Sequence, residues 1–303
     1  MGLLVIALGG NALLNPSAAQ SFRGEGRSID RVSRSIALLA KRHRIIITHG
    51  NGSQVGDELV RNERAKSFVP KMPLYLLNAE TQASIGSMLE TSLMNSLNVL
   101  GVRKSVSVIF SHVLVDRNDP AFKKPTKPVG PLYTGKELRE ELKIDKFHYI
   151  KVGSRYRRVV ASPKPKRILE LKSIEECSKG GIVIACGGGG IPVVDRNGGI
   201  YGVNAVIDKD RATQLLASSL NASRMVILTN VDYVYSSSKN HVAIKRISAK
   251  ELKSRIGEFE DGTIRPKLEA CVNFIENGGK GAVIGNVFKL GSIMQNRSGT
   301  HIF

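Results

Sequence analysis

The chain has 303 residues, 42% of them hydrophobic, and a formal net charge of +19 from 45 Lys and Arg against 26 Asp and Glu. A chain this long buries roughly three quarters of the surface its unfolded form exposes, so it needs no cross-links to hold a core, and its three scattered cysteines (Cys177, Cys186 and Cys271) argue against a disulfide framework or a zinc cluster. Apolar runs such as Ile182–Cys186 are strand-sized rather than membrane-sized, and Met1–Leu8 lacks the basic start and cleavage site of a signal peptide, so a cytoplasmic protein away from membranes is expected.

Leu3–Leu8 reads as a buried strand and runs directly into Gly9-Gly10-Asn11. Glycines at the carboxyl end of a strand let backbone N–H groups approach an anion, although a tight turn would use them equally well. Arg27–His43 reads as a helix, with Val32, Ile36, Leu39 and Ala40 on one face. The strand Arg44–Thr48 leads into a second loop, His49-Gly50-Asn51-Gly52-Ser53. Its density of glycines and small polar residues suits a small anionic acceptor. One or two helices over Leu74–Leu97 and a strand over Ser105–Phe110 follow.

The stretch Asp116–Arg158 is rich in charge, proline and glycine, and reads as a small β-rich flap leaving the sheet. Prolines on both sides stiffen the chain around Lys127, so a closing flap could carry that lysine into a site. Ile168–Lys179 reads as helical and Gly181–Cys186 as a strand ending in Gly187-Gly188-Gly189-Gly190, either a phosphate contact or a hinge. Asp208-Lys209-Asp210 opens a helix over Ile207–Leu220, with Asp208 as its natural N-cap. Lys209 then sits in a first turn, where the helix dipole disfavours positive charge, and a nucleotide phosphate would restore the balance. Lys267, beside Pro266 at the start of the helix Pro266–Asn277, repeats that setting. The strand Arg224–Thr229 continues into Asn230-Val231-Asp232-Tyr233-Val234-Tyr235, which suits a base and ribose, and Gly281–Ile284 reads as a last strand.

Strands alternating with helices imply a mainly parallel sheet covered on both faces. The positive charge points to an anionic partner. The bases are scattered and no aromatics interleave them, so a diffuse field is expected, with no specific nucleic-acid groove.

Taken together, these segments resemble the amino-acid kinase family over essentially the whole chain. The spacing of Thr48–Gly56, Lys124–Tyr133, Cys186–Val193, Gly202–Asp210 and Gly262–Lys267 is similar to its carbamate kinase branch. The resemblance implies a three-layer αβα sandwich with a mainly parallel central sheet and a small protruding subdomain at about residues 116–158. It implies an N-terminal lobe (1–178) for carbamate and a C-terminal lobe (179–303) for ATP. The implied reaction is reversible phosphoryl transfer between ATP and carbamate. Mg²⁺ would be held mainly through the nucleotide phosphates, with no metal ligands from the protein, and the enzyme would be a homodimer.

Gly9, Gly10, Asn11, Gly50, Asn51 and Gly52 match positions that contact the acceptor and the phosphoryl group. Lys127, Lys209 and Lys267 match phosphate-contacting lysines, and Asp210 the aspartate that orients them. Gly187, Gly188, Asp208, Asn230, Val231 and Tyr235 are expected on the nucleotide side. Three positions depart from the family pattern: Ser53 for proline, Asn204 for glutamate, and Thr263-Ile-Arg-Pro, which adds a charge beside Lys267. Two other readings accompany this one: a sibling kinase for a different small acid, and a nucleotide- or nucleic-acid-binding regulator on the same fold.

Overall fold

The computed structural model describes residues 2–10, 22–144, 147–236, 242–260 and 264–303. Aliphatic runs such as Ile45-Ile46-Ile47 and Val226-Ile227-Leu228 form strands buried on both faces, the environment of a parallel sheet. Eight strands make one sheet in the order 246–247, 300–302, 282–286, 224–229, 3–8, 44–49, 181–185, 105–109. All its pairings are parallel except that of Ala282–Asn286 with Thr300–Ile302.

Two apolar layers sandwich this sheet. Val5, Ala7, Ile46 and Ile227 point to one face and pack with Ala212, Leu216, Leu268 and Phe274, from the helices Lys209–Ser219 and Arg265–Glu276. Leu4, Ile6, Ile47 and Val226 point to the other and meet Val32, Ile36, Ile85 and Leu89, from the helices Phe22–Ala40 and Leu74–Val99. Each fully buried aliphatic side chain contributes about 1.5–3 kcal/mol, so the sheet fixes the loops at its carboxyl edge firmly. The fold is the expected three-layer sandwich. The strand Gly181–Ala185 lies between Arg44–His49 and Ser105–Ile109, among the strands of the first lobe.

Two differences from the sequence reading have local causes. A second sheet of four strands, in the order 199–202, 191–196, 112–115, 165–168, runs through segments read as loop or helix. Pro165–Ile168 is one of its strands, and the following helix starts only at Leu171. There Glu170 is occupied by His112, accepting from its backbone N–H and contacting its ring Nδ1, both at 2.8 Å. The region read as one or two helices is a single helix, Leu74–Val99, and the side chain of Asn204 caps its start by accepting from Leu74 N–H at 2.9 Å.

The flap is a three-stranded antiparallel sheet, in the order Lys127–Tyr133, Arg155–Val160, His148–Val152, with the helix Gly135–Ile144. Val129 and Val160 anchor it to Val55, Leu59, Leu74 and Leu77 in a small core of its own. Gly56 and Gly130 meet backbone to backbone: a Cβ on Gly56 would lie 3.3 Å from Gly130 N and Cα.

Candidate active site

Parallel strands place their following loops along one edge of the sheet, and that edge is where open α/β sheets bind ligands. Here Leu8 pairs with His49 and with Leu228, which brings the loops starting at Gly9, Gly50 and Asn230 side by side. The first two touch, since a Cβ on Gly50 would sit 2.9 Å from Gly10 N. Asn11 lies outside the described residues.

The second loop rests on a buried polar network. Asn51, 3% exposed, donates through Nδ2 to Asn78 Oδ1 at 2.5 Å and to Thr81 Oγ1 at 2.8 Å. Asn78 donates to Gly190 O at 2.6 Å. Gln82 exchanges hydrogen bonds with the backbone of Ser111, whose hydroxyl accepts from Cys186 N–H at 2.9 Å. Asn78, Thr81 and Gln82 share one helix face through their i, i+3, i+4 spacing. Sequence reasoning missed all three. Their signal was a polar patch inside the otherwise apolar stripe of Leu74, Leu77, Ile85 and Leu89.

The glycine run sits behind this loop. Gly188 has φ +63°, and a Cβ there would fall 2.2 Å from Asn51 Nδ2; a Cβ on Gly187 would fall 2.4 Å from His49 Nε2. Gly187 and Gly188, expected on the nucleotide side, therefore stand against the loop His49–Ser53. Burial pushes the His49 imidazole down to about 4; its contact with Gly50 O opposes the shift and the Lys209 charge adds to it, so the ring is neutral at physiological pH.

Across the loop lie the charged residues. Asp208 caps its helix, accepting from Asp210 N–H at 3.0 Å and Arg211 N–H at 3.3 Å. Asp210, with its side chain 4% exposed, holds Lys209 Nζ at 2.6 Å on one carboxylate oxygen and Lys267 Nζ at 3.2 Å on the other. Asp210 thus supplies the negative charge that Lys209 was expected to find in a phosphate. Lys127 reaches in from the flap and meets Asp208 Oδ2 at 2.9 Å. Burial of Asp208 would raise its pKa, but the Lys127 ammonium and its hydrogen bond override that and hold the carboxyl well below the usual range. The hydroxyls of Thr48 and Thr213, 2.6 Å apart, tie the strand Arg44–His49 to the lysine-bearing helix, and Thr213 also donates to Lys209 O at 2.8 Å.

Asn230, Val231 and Tyr235 line the more open end of the edge, where Asn286 donates to Asp232 Oδ1 at 3.0 Å and Val231 and Tyr235 are 40% and 43% exposed. The added Arg265 turns away from Lys267 and donates to Phe259 O, at 2.6 and 3.0 Å. Ser53 donates to Gln54 Oε1 at 3.0 Å.

Residues 2–286 match the amino acid kinase family. The carbamate kinase of Clostridium perfringens is 42% identical, over 99% of this chain and 99% of its own. That of Pyrococcus horikoshii is 38% identical, over 99% of this chain and 98% of its own. The solved structure of the Giardia lamblia carbamate kinase bound to AMP-PNP superposes with a TM-score of 0.92 at 31% identity, covering 100% of this chain and 98% of that one. The chain belongs to the amino acid kinase family. Within it, the full-length matches place the chain in the carbamate kinase branch.

Proposed function

We propose that the chain is an ATP-dependent phosphotransferase that interconverts carbamoyl phosphate plus ADP with carbamate plus ATP. The observation that carries this reading is the Asp210 carboxylate fixed between Lys209 and Lys267, opposite an acceptor loop made of glycine backbone and one buried asparagine. Phosphoryl transfer requires alignment and charge neutralisation rather than a nucleophilic side chain. A carbamate oxygen attacks the γ-phosphorus directly, and the leaving ADP carries the released charge. Asp210 fixes the two ammonium groups in place without reorganisation during the reaction, the condition under which electrostatic stabilisation is strongest. Lys127 adds a third positive charge when the flap is seated.

The loop His49–Ser53 carries no arginine and no large apolar side chain. Gly10 and Gly52 offer N–H groups with no side-chain volume, the N–H groups of Gly9 and Gly50 being taken by Leu228 O and Leu8 O at 3.0 and 2.9 Å, and Asn51 is oriented by Asn78 and Thr81. That geometry favours carbamate over longer acids. Val231 and Tyr235 flank the adenine and ribose, with Asn230 beside them. Asp208 and Asp210 are both engaged by lysines, which fits a Mg²⁺ carried on the nucleotide phosphates rather than in a protein cage. When bound, that ion neutralises the phosphate oxygens. In this reading residues 1–178 serve the acceptor, residues 179–303 serve the nucleotide, and the enzyme works in the cytoplasm as a homodimer.

A coupled assay of ATP formation from ADP and carbamoyl phosphate tests the reading, with acetyl phosphate, acetylglutamate and aspartate alongside. Turnover with carbamoyl phosphate, weak turnover with acetyl phosphate and none with the amino-acid acceptors is the expected pattern. Robust phosphorylation of acetylglutamate or aspartate would overturn the acceptor assignment.

A further inference from the structure

The parallel strands have a second edge, at their amino-terminal ends, and the largest unexplained charge gathers there. Arg224 and Gly281 open the two paired strands Arg224–Thr229 and Ala282–Asn286. A cavity of about 480 Å³ lies beside them, within the size range of sites for small organic ligands. It is lined by Arg224, Lys245, Arg246, Lys280, Arg297 and His301, and by no Asp or Glu side chain. These residues come from separate stretches of sequence, which is why the cluster is not visible in the order of residues.

The two groups of lysines and arginines in this molecule are treated differently. At the carboxyl edge every lysine of the site has a carboxylate partner. At the amino edge none of the five Lys and Arg side chains around the cavity has one among the described residues. Arg246 instead lies over the Phe303 ring, 5.3 Å from its centroid. The backbone oxygen of Phe303 is taken by Ala249 N–H at 2.8 Å. Like charges converging on one concavity repel each other and destabilise the folded chain unless an anion enters. Three guanidinium groups in the set favour an anion with several oxygens in a plane or tetrahedron, because each can bind two oxygens at once.

We propose that this cavity is a second anion site, separate from the reaction cleft, for a small ligand carrying two or more phosphate groups. Arg224, half-buried at the start of its strand, fixes the ligand, while Lys245, Arg246, Lys280 and Arg297 are exposed at the rim. His301 donates from its ring to Ser298 O, a 2.9 Å contact that holds the imidazole at the wall of the cavity. The lining holds none of Gly10, Asn51, Lys127, Lys209, Asp210 and Lys267, which sets this ligand apart from the transferring phosphoryl group, and reaches the nucleotide edge only at Tyr233. The site would be occupied together with the nucleotide, not in competition with it.

Inorganic tripolyphosphate is the probe, titrated calorimetrically at near-physiological salt with ADP in excess to fill the nucleotide site. One further binding event per chain is expected. The double variant Lys245→Ala/Arg297→Ala, both changes at exposed rim positions, should weaken that event at least tenfold and leave kcat within twofold of wild type. The control Lys41→Ala/Arg42→Ala, from an ordinary basic cluster, should leave it unchanged. No event beyond the ADP site, or an event indifferent to the rim variant, overturns the proposal. So does a short RNA that binds more tightly than tripolyphosphate and is lost in the same variant, since the surface would then serve nucleic acid.

Discussion

The two sides of the reaction cleft are built in opposite ways. On the proposed acceptor side His49, Asn51, Asn78 and Thr81 are at most 3% exposed, and each is held by a neighbour. On the nucleotide side Val231 and Tyr235 keep about two fifths of their surface in contact with solvent. A small acceptor offers few atoms to grip, so its site has to be rigid before the ligand arrives. A nucleotide brings many atoms and can be held by partial contacts spread over an open edge. Between the two stands Asp210 with its pair of lysines, which shares the burial of the first side and is proposed to serve the ligand of the second.

The sharpest way to break this comparison is at that boundary. Lys209→Ala should lower kcat by about 10²–10³, the loss seen on removing a preorganised electrostatic donor. Circular dichroism should show a folded chain, because a first-turn lysine adds little to helix stability. Near-wild-type turnover would show that the lysine pair does not act on the transferring group. Gly188→Ala attacks the rigid side alone. The new methyl would collide with Asn51 at a φ of +63°, so a loss of about 10² in kcat/KM for carbamoyl phosphate is expected, with the KM for ADP within threefold of wild type. An equal loss for both substrates would dissolve the distinction between the sides.

The buried histidine sharpens the same contrast through stability. Its pKa falls from 6.5 in the unfolded chain to about 4 when folded, so the unfolded chain binds the extra proton between those values. Stability from this site is therefore complete above about pH 6.5 and is lost as pH falls towards 4. Denaturant unfolding at pH 7 and pH 5 should show wild type losing about 2 kcal/mol more than His49→Gln across that interval. Equal losses in the two proteins would place the imidazole in contact with water. The smallest effect belongs to the open side. Tyr235→Ala should raise the KM for ADP about fivefold, the equivalent of roughly 1 kcal/mol for a half-buried side chain, with kcat within twofold of wild type. A large fall in kcat would make Tyr235 part of the rigid machinery instead.

Much of this arrangement was legible in the sequence. Runs such as Ile45–Ile47 and the glycine loops after them identify strands of a parallel sheet and the edge where ligands gather. Asp208 reads as a helix cap and acts as one. The supporting shell was not legible, because it depends on contacts between distant residues. Asn78 is recognisable only as a polar position in an apolar stripe, and its partner lies 27 residues earlier. The pairing of Lys127 with Asp208 spans 81 residues and depends on how the flap seats. Arg265, which seemed to crowd Lys267, is drawn off by carbonyls that no local pattern announces. His112–Val115 escaped notice because four residues carry too short a pattern to mark a strand.

The register between Leu3–Leu8 and Arg224–Thr229 has a mechanical consequence. Five successive residue pairs join the half of the chain proposed to receive carbamate to the half proposed to receive nucleotide. The two docking points are therefore mounted on a single plate, and their separation is set when the chain folds. A kinase made of two jaws must swing them together in each cycle, and its timing includes that swing. Here a continuous strand ladder joins the two halves. What can move is the cover: the antiparallel flap, fastened by its own small apolar core and carrying Lys127 on its first strand. Opening and shutting this enzyme is then a matter of lifting a lid from a fixed bench.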